Sequence, residues 1–316
     1  MKVFDYTVAI PVYNGKSYIA RTIKSLIAQT IPPKEVILVD DCSTDGTADF
    51  VEREFGWVKV VRQATNQGVA SARNQAIRRC VTPVIMLLDA DDLWLPTKAQ
   101  EQLNLLEKAP DISGVFCDFR GVDLEGNPVC WAGGILAQLQ GYRLDPQLVD
   151  DHAYVLNKDV PSALIQHTSF IHPSVVCFYT DAIQKIGGFD ETYRHIEDLE
   201  LWIRFASKYR LGYIDKILME AESRPDSLGK RRIPANEGLV RLYSSLKVDY
   251  PQIASRNKFA IREFLKVRYA YLSELYMEQQ EYQKAWTACR NSLGHGVSRR
   301  GLSCLYHFAK SKLISR

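Results

Sequence analysis

Residues 86–94 read MLLDADDLW: an apolar run drives straight into three carboxylates within four positions, Asp89, Asp91 and Asp92. Like charges held that close raise the cost of ionising one another, so the stretch calls for a positive partner. Carboxylate oxygens gathered at one strand end are hard ligands. They suit Mg2+ or Mn2+, bound through one or two carboxylates plus substrate phosphates. This reading makes carboxylates of the cluster metal ligands and gives the ion a diphosphate to hold. The alternative is that Asp91 or Asp92 caps a helix starting near Pro96. Asp40-Asp41-Cys42-Ser43 is equally two-sided. Asp41 can accept a hydrogen bond from a base or ribose, or Ser43 or Thr44 can cap a helix with Asp45 in its first turn. Glu197-Asp198 precedes a third helical stretch, 199–207. There a carboxylate serves either as the base of a displacement or as a first-turn acid favoured by the helix dipole.

The elements that must position these groups alternate. Strands are expected at 7–12, 35–40, 58–61 and 84–88, and helices at 15–30, 44–55, 69–80 and 96–108. Strands alternating with helices of about a dozen residues imply parallel βαβ units. Such sheets bind ligands beyond the carboxyl ends of their strands. Those ends carry Tyr13-Asn14, Asp40-Asp41, Asn66 with Gly68, and Asp89-Ala90-Asp91-Asp92, all at one edge. The middle of the chain is less regular, with strands at 113–119 and 174–179. The stretch GVDLEGNPVCWAGG between them predicts a hairpin or insertion over the site. Residues 180–209 read as helix broken at Gly187-Gly188. The expected division is an α/β domain over 1–220, a mobile basic loop over 221–234, and an all-helical extension over 235–316. Within the extension, residues 256–293 fit one antiparallel helix pair of the tetratricopeptide kind, with no second copy.

Five motifs in this order, VAIPVYNGKSYIARTIKSLIAQT, EVILVDDCSTDGT, NQGVASARNQAI, LLDADD and GGFDETYRHIEDLELWIRFA, resemble the family 2 inverting glycosyltransferases of the GT-A fold. The resemblance covers about residues 5–210. It implies a Rossmann-like mixed sheet flanked by helices and a nucleotide-diphosphate-sugar donor. It places Tyr13 against the base with Pro11 and Val12 lining the pocket, and Asp41 on the base edge. Asn14, Gly68 and Ala90 complete the donor edge. Arg73 meets phosphate or braces the acidic strand end; Asp89 lies near the ribose, Asp91 on the metal, and Asp92 shares it. Asp198 falls at the base position with Glu197 beside it. Inverting transfer is one displacement, needing a carboxylate at the acceptor hydroxyl and a neutralised leaving group. His172 is a softer candidate, for acceptor or diphosphate, or a satisfied semi-buried histidine. Arg224, Ser227 and Lys230 offer a basic loop to the diphosphate, or are solvated charge. Trp94 and Trp202 read as packing.

Composition bounds the rest. The net charge of +3 conceals an imbalance: residues 256–316 hold 12 Lys/Arg and 4 Asp/Glu, leaving −5 on the remainder. The basic tail, RRGLSCLYHFAKSKLISR, is either an interfacial helix on an anionic bilayer or a last helix packed on the core. The acidic remainder and the lack of a recognition motif exclude nucleic acid as a partner. Seven scattered cysteines without ligand spacing indicate reduced thiols in the cytoplasm, and the interfacial reading of the tail adds peripheral contact at the inner membrane face. No leader and no spanning segment are read, which excludes a processive membrane synthase. The expected acceptor is a glycan or lipid-linked glycan. Two other functions stay open, a nucleotidyltransferase and a non-catalytic nucleotide-sugar-binding scaffold.

Overall fold

Strand β1 (Tyr6–Val12) is buried at every position and pairs in parallel with two others: β2 (Glu35–Asp40) on one side, β4 (Val84–Leu87) on the other. A strand covered on both faces needs apolar residues throughout, and these three read as continuous apolar runs for that reason. β3 (Lys59–Arg62) adds in parallel to β2. The connecting helices are α1 (Ile19–Ile27), α2 (Thr47–Glu54) and α3 (Val69–Arg79), with α4 (Lys98–Lys108) following β4. The computed structural model describes residues 4–123, 125–132, 134–142, 144–157, 159–167, 170–222 and 232–305.

Two capping expectations are corrected. Residues 92–94 form a short strand, β5 (Asp92–Trp94), and α4 starts only at Lys98 with no side-chain cap. Asp91 and Asp92 therefore do not cap it. Helix α2 starts at Thr47, and Ser43 and Thr44 do not cap it either; Asp45 accepts the Thr47 N–H at 3.0 Å.

The sheet continues through β6 (Ile112–Val122), β7 (Pro128–Ala132), β8 (Gln147–Asp150), β9 (Ala153–Val155), β10 (Cys177–Tyr179) and β11 (Arg210–Glu222). Its order is β3-β2-β1-β4-β10-β6-β11-β9-β8, with β5 on β11 and β7 on β6. The β6–β7 pair is the expected hairpin. Its turn is held by Asp123, whose Oδ1 accepts the N–H groups of Glu125 and Asn127 at 2.9 and 2.8 Å. β11, the longest strand, has no counterpart in the sequence reading. Its register shifts between Arg210 and Leu211, between Ile214 and Ile217 and again before Met219, so the period-two alternation that announces a strand is broken three times. Helices α5 (Ile135–Gly141), α6 (Val160–His167), α7 (Thr180–Lys185) and α8 (Glu197–Ala206) complete the α/β part.

The chain divides into two compact units, Met1–Leu164 with Ser169–Pro225, and Ile165–Thr168 with Asp226–Arg316. The second unit holds α9 (Arg232–Asp249), α10 (Pro251–Arg256), α11 (Lys258–Glu278) and α12 (Tyr282–His295). α11 and α12 run antiparallel: Ser273 Oγ donates to the Ala285 carbonyl at 2.8 Å and Ser292 Oγ to that of Lys266 at 2.7 Å. The small buried residues Ala285, Ala288 and Ser292 allow that approach. Residues 299–305 are helical, and 306–316, the rest of the expected basic tail, lie outside the described residues. No described helix is long and apolar enough to cross a membrane.

Candidate active site

The carboxyl ends of β1, β2 and β3 are tied to one another by their own loops. Asn14, at φ 53°, donates its N–H to Ser43 Oγ at 2.8 Å and accepts the Thr44 N–H on Oδ1 at 2.8 Å. Gly15 N–H reaches Thr47 Oγ1 at 2.9 Å, and Lys16 N–H reaches Asp45 Oδ2 at 3.0 Å. Asp41 is buried and draws in the loop after β3. Its Oδ1 accepts from Gln63 Nε2 (3.0 Å) and Gln67 N–H (2.6 Å), and its Oδ2 from Gly68 N–H (2.8 Å). Burial pushes this carboxyl up and Asp40 adds to that, while the two N–H groups and Arg194 pull it back. Gly68 has φ +94°, and a Cβ there would lie 2.9 Å from Arg194 Nη1, so the position admits glycine and little else. Pro11 and Val12 are buried in β1, whereas Tyr13 emerges at the strand end 49 % exposed.

The acidic end of β4 is organised by Ser174, in the 3-10 turn Pro173–Val175. This fully buried residue uses all its polar groups. Its Oγ accepts the Asp89 N–H at 2.8 Å and donates to Asp92 Oδ2; its N–H donates to His172 Nδ1 at 3.2 Å; its carbonyl accepts Trp94 Nε1–H at 2.9 Å. As a result Asp89, Asp92 and His172 offer ligand atoms all within 4.8 Å of one another, and among the described residues they are the group able to hold a metal. Asp91, half-buried at the same turn, is outside that group. Burial, then the charges of Asp89 and Asp91, push the Asp92 carboxyl well up, against the Ser174 hydroxyl and the Glu222 N–H. Burial lowers His172, with Arg73 acting the same way and Asp89 opposing, so the imidazole is neutral and ligand-competent. Ala90 is buried, and its carbonyl accepts Thr22 Oγ1–H at 2.7 Å.

The positive partner demanded by MLLDADDLW is Arg73. It is 3 % exposed on α3 and bonds Asp89 Oδ1 at 2.7 Å through Nη2 and Glu197 Oε1 at 2.8 Å through Nη1. Its guanidinium lies over the Phe189 ring, 5.2 Å from the centroid, and its Nε–H has no hydrogen-bond partner. Burial works against its charge, but Asp89, Glu197 and Asp198 outweigh it and hold Arg73 protonated. The guanidinium braces the acidic strand end to the start of α8. Ile196 precedes that helix at φ 61°, a left-handed conformation that a β-branched residue adopts at a cost. Glu197 and Asp198 follow in the first turn, where Asp198 Oδ1 accepts the Leu199 N–H at 2.7 Å. Burial first, then Glu197, raises the Asp198 carboxyl to about 7; Leu199 and Arg73 oppose the shift. A carboxyl poised near neutrality among other acidic groups is suited to proton transfer.

Trp94 and Trp202 are buried and donate their indole N–H groups to Ser174 and Ile171, so they frame the His172 segment. Three residues at the site escaped the sequence reading. Ser174 sits two positions from His172 but has no local pattern of its own. Arg194 was visible as the cation beside HIED. Arg21 pairs with buried Glu222, whose Oε1 has no partner, and the two are 201 residues apart. Arg224, Ser227 and Lys230 fall in 223–231, outside the described residues.

Residues 7–156 match the family model Glycosyl transferase family 2. The chondroitin synthase of Escherichia coli is 35 % identical over 213 residues, which cover 67 % of this chain and 28 % of the synthase. The chain spans 37–63 % of the length of five further curated glycosyltransferases that align with it. Among solved structures, Staphylococcus aureus TarS 1-349 in complex with UDP-GlcNAc superposes with a TM-score of 0.68 at 19 % identity, covering 94 % of this chain and 82 % of that one. The mannosyltransferase PcManGT of Pyrobaculum calidifontis, in complex with GDP-Man and Mn2+, gives 0.60 at 19 % identity, covering 98 % and 83 %. At these identities the structural likeness shows the shared fold.

Proposed function

Starting from a chain that belongs to glycosyl transferase family 2 and has the GT-A fold, we propose that it transfers a sugar with inversion from a nucleotide-diphosphate donor to an acceptor hydroxyl. The observation that carries this is Arg73, which joins a metal-capable strand end to a helix start bearing a carboxyl that titrates near neutrality. The acceptor O–H attacks the anomeric carbon, its proton passes to Asp198, and the bond to the diphosphate oxygen breaks with its electron pair leaving on the diphosphate. Tyr13 stacks on the base, and Asp41 with the loops it ties forms the floor beneath it. Two carboxylates and a neutral imidazole are a donor set that fits Mn2+ or Mg2+. Asp89, Asp92 and His172 would hold the ion, with Asp91 at the same turn. A divalent ion there supplies charge neutralisation to the departing diphosphate.

The GDP-Man and Mn2+ bound by PcManGT and the UDP-GlcNAc bound by TarS support a nucleotide-sugar donor on a metal. The chondroitin synthase likeness supports a glycan acceptor, free or lipid-linked. The six described cysteines are free thiols, five of them buried, in keeping with a cytoplasmic setting.

The deciding experiment is calorimetric titration of UDP-, GDP- and dTDP-sugars with Mn2+, with Mg2+ and with chelator. One donor is expected to bind with metal only, and Asp92→Asn is expected to weaken it at least tenfold, the scale of a lost metal ligand. Binding that ignores chelator would overturn the metal reading, and no binding of any donor would overturn the transferase reading. Ser174 should matter as a positioning residue. Ser174→Ala is expected to lower Mn2+ affinity in the absence of donor by about 10–100-fold, with Ser174→Thr restoring part of it. Unchanged Mn2+ binding in Ser174→Ala would mean the ion sits elsewhere.

A further inference from the structure

One end of the helical unit shows water a mixture that a folded chain normally hides. Val248 is 81 % exposed, Phe259 78 % and Val297 69 %. They lie at the end of α9, the start of α11 and just past α12. These three segments meet: Arg262 Nε donates to the His295 carbonyl at 2.6 Å, and a Cβ on Gly296 would lie 3.6 Å from Arg262 Nη2 and 3.4 Å from Lys266 Cδ. The charges of Lys247 and Arg262 both act on the His295 imidazole. Phe259, Arg262 and Lys266 stand at i, i+3 and i+7, one stripe of α11.

The same end is positive. Lys247, Arg256, Lys258 and Arg262 are exposed, and none forms an ion pair with a described carboxylate. Glu263 is taken by Lys266 at 2.6 Å, which leaves Asp249 as the neighbouring acid. Exposed apolar side chains among unpaired cations mark a binding face. The chemistry selects the partner. Nucleic-acid sites join cations to successive flat stacking platforms, and of the three apolar side chains here Phe259 alone is flat. A bilayer with anionic headgroups takes both features at once, cations at the phosphates and apolar tips between the acyl chains.

We infer that this end of the helical unit, built from Lys247, Val248, Lys258, Phe259, Arg262 and Val297, docks on an anionic lipid surface. The inference stands whether or not the chain transfers sugar.

The test is co-sedimentation of the full chain with vesicles of phosphatidylcholine, and of phosphatidylcholine with about 30 % phosphatidylglycerol, an anionic fraction large enough to set up the surface potential that attracts cations. Binding is expected on the anionic vesicles only, weakening as salt rises. Each cation is worth about fivefold in partitioning. Lys258→Glu with Arg262→Glu is therefore expected to lower partitioning at least ~10-fold. Phe259→Ser with Val297→Ser is expected to lower it about tenfold, with thermal melting unchanged. As a check that does not depend on loss, Phe259→Cys carrying an environment-sensitive dye should blue-shift on anionic vesicles. No binding, equal binding to both vesicle types, or unaltered binding of the two double variants would each overturn the inference.

Discussion

Asp198→Asn is expected to cost about three orders of magnitude in turnover while donor affinity stays within about twofold, the size of a lost general base. The carboxyl that titrates near 7 lies in the first turn of α8, behind the Arg73–Glu197 pair. For the parent chain, kcat/KM should climb about tenfold per pH unit up to about 7 and then level, as the base loses its proton. Stability should move the other way. A carboxyl raised by burial and by Glu197 favours the folded state while protonated, and that contribution is lost as pH rises through about 7. Replacing it with a neutral amide should therefore stabilise the chain by roughly 4 kcal/mol at pH 8, by roughly 2 kcal/mol at pH 5 and by almost nothing below about pH 3. Denaturant melts at pH 8 and pH 5, beside single-turnover kinetics, check the two halves separately. Full activity in Asp198→Asn removes it as the base, and an equal effect at both pH values means the carboxyl is not the group that titrates.

The second large effect belongs to Arg73→Met. Methionine fills similar space but leaves Asp89 and Glu197 without their shared cation. Breaking a buried pair from one side costs about 3–5 kcal/mol, because the orphaned charge stays buried. In a chain of this length that lowers Tm by about 5–10 °C. Adding Glu197→Gln should recover part of the loss by removing one orphan, and a double-mutant cycle isolates the coupling. A parent-like Tm in Arg73→Met would show that water or rearrangement already serves those carboxylates.

What was readable in the sequence was whatever repeats locally. The buried parallel strands announce themselves as apolar runs, and the polar residues that end them collect at one sheet edge for topological reasons. The need for a cation beside Asp89 was also readable, with Arg73 among the candidates. Its second partner was not: Glu197 lies 124 positions away, and no periodicity links the two. Ser174 was hidden for a related cause, since its importance lies in three bonds to the segment 89–94, and only one, to His172, is local. β5 was absorbed into an expected cap because Asp near a helix start fits a cap, and only pairing with β11 makes residues 92–94 a strand. β11 itself was lost to its own register shifts.

On the proposed function the nucleotide's seat is the loops beyond β1, β2 and β3, which hold one another through Asn14, Ser43, Thr47 and Asp41. A nucleotide arriving there meets a surface whose conformational freedom was surrendered when the sheet formed. Little of its intrinsic affinity is then diverted into ordering the chain. Donors that share a base should differ in how fast they leave more than in how fast they arrive, and that difference should originate at the β4 end, where the proposed function puts the diphosphate and sugar.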